Sequence, residues 1–275
     1  MQQQRLSLVS LLLISLCVPL DVLGADDDAA KKEESARRLV VMKKTIDSVE
    51  ITIGKDGTDK LVRVDEPIQR WSNPLVRIVD ATVFLWMRDG RPAVVSQVAD
   101  VTDEGVWQEF QSLTTEPLLG TRDGGSYWTP TAAGIKWERA PTTEAPAATP
   151  ELRRVQMRKI AEKFRVADLF EFKEPNQLRL LATPLYRYSA PKVGVRDGAL
   201  FSYALGTDPE VLLLIEAQQE SNAAAWKVAF ARLTGFACRA TLDDKEFWSC
   251  KVMPFPYPPD STFFSIRVTP PIRGK

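Results

Sequence analysis

The feature that most constrains this chain is that one stretch of it is written twice. The twenty residues from Pro67 to Trp86 align without a gap on Pro184 to Tyr203 at a constant offset of 117, and seven of the twenty positions are identical: Pro67, Arg70, Ser72, Pro74, Val76, Asp80 and Phe84. Unrelated segments of ordinary composition would share about one. Several other positions change like for like, Trp71 to Tyr188 and Trp86 to Tyr203 among them. With small shifts the match runs on downstream, Trp107 against Trp226, Phe110 against Phe230 and Trp128 against Trp248. Upstream, Val40-Val-Met42-Lys-Lys44 answers Val155-Gln-Met157-Arg-Lys159. A chain built this way is expected to fold as two related units that share a core.

The boundaries follow from composition. Repeat unit 1 is expected over 36–140 and unit 2 over 151–255. Between them lies a Pro-rich linker, 141–150, and a Pro-rich tail, 256–275, follows. The charged segment 25–35 reads as a disordered lead. Each unit reads as one helix and then strands. Thr149 is an N-cap candidate, followed by Pro150 at the first helical position and Glu151 at the positive end of the dipole. Met157, Ile160, Ala161 and Phe164 keep helical spacing, as do Leu39, Met42, Ile46 and Val49. A hairpin turns at Asp89-Gly90 in unit 1 and another at Gly206 to Pro209 in unit 2, where Val211 to Ile215 is apolar on both faces, as a covered central strand requires. The expected fold class is α+β: two tandem, pseudo-symmetric copies of a helix plus a mostly antiparallel β-meander.

Residues 1–24 carry one early basic residue, Arg5, an uncharged run from Leu6 to Leu20, and Gly24 before an acidic stretch. That is the pattern of a secretory signal peptide, too short in its apolar part for a spanning helix, so export to the periplasm or beyond is expected, with no integral membrane span after cleavage. Export would leave two cysteines, Cys238 and Cys250, flanking a hairpin that turns at Asp243-Asp244. A three-residue loop would set them opposite each other, and a two-residue loop would offset them by one and put them on different faces; the alternatives are a disulfide or two small buried side chains.

Arg70-Trp-Ser-Asn-Pro74, Asp197-Gly-Ala-Leu-Phe201 and Gly206-Thr-Asp-Pro-Glu-Val-Leu-Leu-Leu-Ile-Glu-Ala217 resemble a family of exported, internally duplicated proteins from planctomycete-type bacteria. The resemblance implies secretion and a shared fold. It carries no activity and no functional residues.

The chain has no histidine, which excludes Ser-His-Asp triads, Cys-His dyads and His-ligated metals. Its 36 basic and 36 acidic side chains offer no electrostatic footprint for nucleic acid. No phosphate loop, zinc-type cysteine set or calcium-loop pattern is present, so neither cofactor nor metal is expected. The candidate ligand-binding residues are the repeated ones: Arg70, Trp71 and Asp80, with Arg187, Tyr188 and Asp197. Asp80 and Asp197 could act as the shared-proton pair of a carboxylate-based hydrolase, although neither stands in the Asp-Thr-Gly or Asp-Ser-Gly context that holds such a pair. Alternatively the Arg-aromatic pairs could hold a small ligand or glycan, which requires their rings to be exposed. Glu216 and Glu220 read as solvated acids near a strand end. The favoured reading is an exported, non-enzymatic interaction or scaffold protein with an envelope or extracellular partner.

Overall fold

The computed structural model describes residues 22–54, 57–169, 174–221 and 223–269. The signal-peptide reading falls almost wholly outside them. The elements run as helix α1 (Val22–Asp47), then strands β1 (Val49–Ile53), β2 (Asp59–Lys60), β3 (Val62–Arg63), β4 (Gln69–Asn73), β5 (Ile78–Arg88), β6 (Arg91–Val101), β7 (Gly105–Ser112), β8 (Leu118–Arg122), β9 (Gly125–Trp128) and β10 (Glu138–Arg139). The second part has helix α2 (Pro150–Ala161), then β11 (Phe164–Asp168), β12 (Asn176–Leu180), β13 (Tyr186–Ala190), β14 (Val195–Leu205), β15 (Asp208–Gln219), β16 (Ala224–Arg232), β17 (Cys238–Leu242), β18 (Lys245–Cys250) and β19 (Phe263–Thr269). Among the described residues, 22–37 belong to a separate unit, in which Arg37 pairs with Glu34, and Arg38 onward is the folded body. The stretch 25–35, expected to be disordered, lies within α1.

The expected α+β class is overturned. The described residues are mostly β, 51% strand against 16% helix, with large antiparallel sheets and a half-barrel rather than a duplicated helix-plus-meander. Three antiparallel sheets run in the orders β2-β1-β8-β9, β19-β7-β6-β5-β3 with β4 also on β5, and β10-β16-β15-β14-β12-β11-β17-β18 with β13 also on β14. Two physical causes separate this from the expectation. Strands β5, β6, β14 and β15 are 11 or 12 residues long and buried along most of their length, so sheet dominates the mass. The segments after the last hairpins also do not stay with their own strands. β10, from the end of the first half, pairs with β16, while β19, from the Pro-rich tail, pairs with β7. Each covers an edge strand of the other half, which would otherwise present unpaired N–H and C=O groups.

The two larger sheets pack face to face through Ala81, Val83, Leu85, Val95 and Ala99 on one side and Leu200, Leu212, Leu214, Ala229 and Ala231 on the other. The opposite faces are covered separately. Met42 and Ile46 of α1 join Phe84, Trp86, Val98 and Phe110, whereas Met157 and Ile160 of α2 join Phe201, Leu213, Val228 and Phe230. α2 starts as the sequence requires, with Thr149 capping through a 3.4 Å hydrogen bond from the Leu152 N–H. The Pro-rich linker is tethered to it: Arg153 donates to Ala147 O and Ala148 O, and Gln156 binds Ala145 and Ala147.

Locally, positions 117 apart do occupy matching places. In the β4–β5 ladder Trp71 faces Ala81, and in the β13–β14 ladder Tyr188 faces Gly198; 3-10 turns at Pro74–Val76 and Pro191–Val193 follow. The hairpin tips are also reciprocal. Gly90, at φ +86°, lies so close to Ser189 that a Cβ there would stand 2.6 Å from its carbonyl oxygen. At the other tip Thr207 donates to Ser72 O and Asn73 to Leu205 O.

Candidate functional site

The β4–β5 ladder sets Arg70 beside Asp80, whose carboxylate it grips with Nε at 2.8 Å from Oδ1 and with Nη2 on Oδ2; Arg38 of α1 adds a contact at 3.3 Å. The β13–β14 ladder repeats this. Arg187 Nε and Nη2 donate to Asp197 at 3.1 and 2.7 Å, and Arg153 of α2 adds Nε at 2.8 Å. The bond to its aspartate raises the pKa of Arg70 and of Arg187 above the ordinary guanidinium value. Each aspartate is therefore a buried carboxylate between two guanidiniums, on strands of different sheets, and neither shares a proton with the other. These are the joints that fasten α1 and α2 to their sheets.

The aromatic partners are interior. Trp71 is 6% exposed and Tyr188 7%, so neither ring offers a stacking platform. Tyr188 lies so close over Gly198 that a Cβ there would fall 2.6 Å from its ring. Its hydroxyl donates to Glu216 at 2.8 Å. Glu216, read from sequence as a solvated acid, has no exposed side-chain surface. Arg91 binds it bidentately at 2.8 and 2.7 Å, and Gln218 completes the shell at 2.6 Å. The Arg91 guanidinium stacks over Trp137 at 4.6 Å. Burial first, and then the Glu216 charge, push the Tyr188 hydroxyl pKa well above its usual value. A charged residue directly after the apolar run Val211 to Ile215 of a central strand was the sequence signal that such a partner had to exist.

A different constellation is chemically unsatisfied. Between the sheets, β7 contributes Glu109 and Trp107, β6 contributes Gln97, and the start of β15 contributes Asp208 and Glu210. Together with Thr234 they line a cavity of about 190 Å³. The Gln97 amide spans the first two acids, with Nε2 3.3 Å from Glu109 Oε2 and 3.5 Å from Asp208 Oδ1, and Ser265 of β19 donates to Glu109 at 3.2 Å. Glu210 takes a hydrogen bond from Thr234. Glu210 Oε2, Gln97 Oε1 and Trp107 Nε1 are buried and have no hydrogen-bond partner in the protein. Asp208, Glu210 and Gln97 are each less than one-tenth exposed, while Glu109 is half-buried.

Burial pushes the Glu109 pKa up to about 7 against the opposing bonds from Ser265 and Gln97. Asp208 is raised well above the carboxylate range by burial and then by the Glu109 charge, and Glu210 by burial and then by Asp208. The charges of the three acids are therefore linked, ionisation of one disfavouring ionisation of the next. Among the described residues no three His, Cys, Asp or Glu side chains converge as metal ligands, and no helix is long and apolar enough to cross a membrane.

Cys238 and Cys250 face each other directly across the β17–β18 ladder, and both thiols are free. The turn is the two-residue one, with Asp243 and Asp244 at φ +49° and +61°, as a tight hairpin requires. A bulge between Ala240 and Thr241 then shifts the register by one and brings the cysteines opposite, an outcome turn length alone could not give.

Comparison of the chain with protein-family models, with curated proteins and with solved structures finds no match.

Proposed function

We propose that the chain is an exported, non-enzymatic binding protein that takes a small organic ammonium ion into the acidic cavity between its sheets. The carrying observation is the pair of buried acceptors without a partner, Glu210 Oε2 and Gln97 Oε1, on the wall of that cavity. A buried acceptor left unpaired costs about 1–3 kcal/mol, so a donor placed there recovers that loss. An ammonium group supplies three donors and a charge, and the Trp107 side chain offers the ligand's alkyl part a wall. The export component rests on residues 1–24. Of the readings raised by the sequence, this one sharpens the interaction protein and moves the small-ligand site away from the arginine-aromatic pairs. The carboxylate hydrolase draws no support from two aspartates each saturated by guanidinium.

The test is calorimetric titration with methylamine, ethylamine and propylamine, and with calcium chloride as a separate arm. The reading expects amine binding that tightens from pH 6 to pH 8, with proton release seen as a dependence on buffer ionisation enthalpy. It also expects at least a tenfold loss of affinity in Glu210→Gln. Absence of amine binding, binding indifferent to Glu210→Gln, or binding of calcium alone would each overturn it.

A further inference from the structure

On the far side of the β16–β17 connection the hairpin cysteines form a second chemical site, close enough to the acidic cavity for Cys238 to feel the Glu210 charge. Cys238 is buried and Cys250 half-buried, and they hydrogen-bond to each other across the ladder. Both line a largely apolar cavity of about 210 Å³ with Leu169, Pro175 and Ala237, to which Asp168 and Arg239 add charge. The Arg232 guanidinium lies beside Cys250. Its Nη2 donates to Lys251 O, and its Nη1 is buried with no hydrogen-bond partner. A thiol pair in register, one member reachable from a cavity and next to a cation, is the arrangement that thiol–disulfide exchange needs.

We propose that Cys250 and Cys238 are a redox-active dithiol that exchanges with small disulfides admitted to this cavity, Cys250 as the attacking sulfur and Cys238 as the resolving one. In the first step the Cys250 thiolate attacks one sulfur of the disulfide RSSR, forming Cys250–S–S–R and expelling RS⁻. In the second, the Cys238 thiol gives its proton to that thiolate and its sulfur attacks the Cys250 sulfur, closing the Cys238–Cys250 bond and releasing the second RS⁻. The protein loses two electrons and the small disulfide gains them. The roles follow the local chemistry. The bond from Cys238 comes first and the Arg232 charge adds to it; together they hold the Cys250 thiol down to about 6, whereas its bond to Cys250 and burial push the Cys238 thiol up.

The experiment uses the full chain, reduced and freed of reductant, with 2-hydroxyethyl disulfide as probe and intact-mass spectrometry as readout. Wild type is expected to release two thiols per chain and finish as the internal disulfide. Cys238→Ser should stop at a mixed disulfide, and should form it at least tenfold faster than Cys250→Ser forms its own. In concentrated guanidinium the two variants should react alike, because the difference belongs to the fold. Equal rates in the native variants, a wild type that stops at the mixed adduct, or a rate difference that persists in denaturant would each overturn the assignment.

Discussion

Glu216 shows how much one side chain can organise. It sits with no exposed side-chain surface on a central strand, and its carboxylate is held by Arg91, which reaches it from the hairpin of the opposing sheet, by Tyr188 and by Gln218. Removing one partner of such a pair strands a charge, at a cost of about 3–5 kcal/mol. Arg91→Met is therefore expected to lower the free energy of unfolding in urea by about that amount, and Arg91→Met with Glu216→Gln to recover part of it. A single-variant loss below about 1 kcal/mol would show that the pair does not fasten the sheets. At this scale the sequence was informative where residues repeat and mute where they do not. Asp80 and Asp197 stood out because they lie 117 residues apart, at the repeat offset, and the structure gives each a bidentate arginine, Arg70 and Arg187. Glu109, Asp208 and Glu210 have Trp226, Arg91 and Ala93 at their offset positions. A search for what recurs passes over them, and only the sheet packing brings β7 against the start of β15.

Among the elements, hairpins carrying their own turn chemistry were legible. Asp89-Gly90 and Asp243-Asp244 adopt the positive φ values that such turns need, and α2 begins at its Thr-Pro-Glu start. The strands β10 and β19 were not. β10 has two residues, and β19 follows a run of prolines, so neither announces a ladder; each is a strand because an edge elsewhere needs a partner. β19 also buries Phe263 and Phe264 and supplies Ser265 to Glu109. A chain ending at Ser261 should expose the β7 edge and self-associate, which light scattering on a gel-filtration column would detect at micromolar concentration. If it elutes as a monomer with an unchanged melting temperature, the tail is not needed to close the sheet.

For the whole molecule, the buried acids set the pH response. Their folded-state pKa values lie above those of the unfolded chain, so the folded protein holds more protons than the unfolded one between roughly pH 4.3 and 7. Stability in that window falls as pH rises, and the contribution of these groups is lost as pH passes the folded values. The melting temperature should decline from pH 5 to pH 8, and Glu210→Gln, neutral at every pH, should flatten that decline. A melting temperature that rises across the range, or a slope that Glu210→Gln leaves unchanged, would contradict the assignment of the protons to this cavity. The class of the fold was misread at this scale for a related reason. Periodicity found both helices but ran each stripe too far, onto Val49 and Phe164, the first residues of β1 and β11, and it gave no weight to how far the long strands would dominate or where the sheet edges would be sealed.

The crossed edge strands also have a consequence in time. Ser265 reaches back across 156 residues to Glu109, and the strand that carries it completes a sheet whose other members were all synthesised long before. Synthesis delivers the chain from its amino end, so the first half emerges with an open β7 edge, and Glu109 waits first for Asp208 and Glu210 and then for Ser265. Contacts at such separation form late and slowly. The cavity thus needs both halves of the chain, and the first half alone cannot present it.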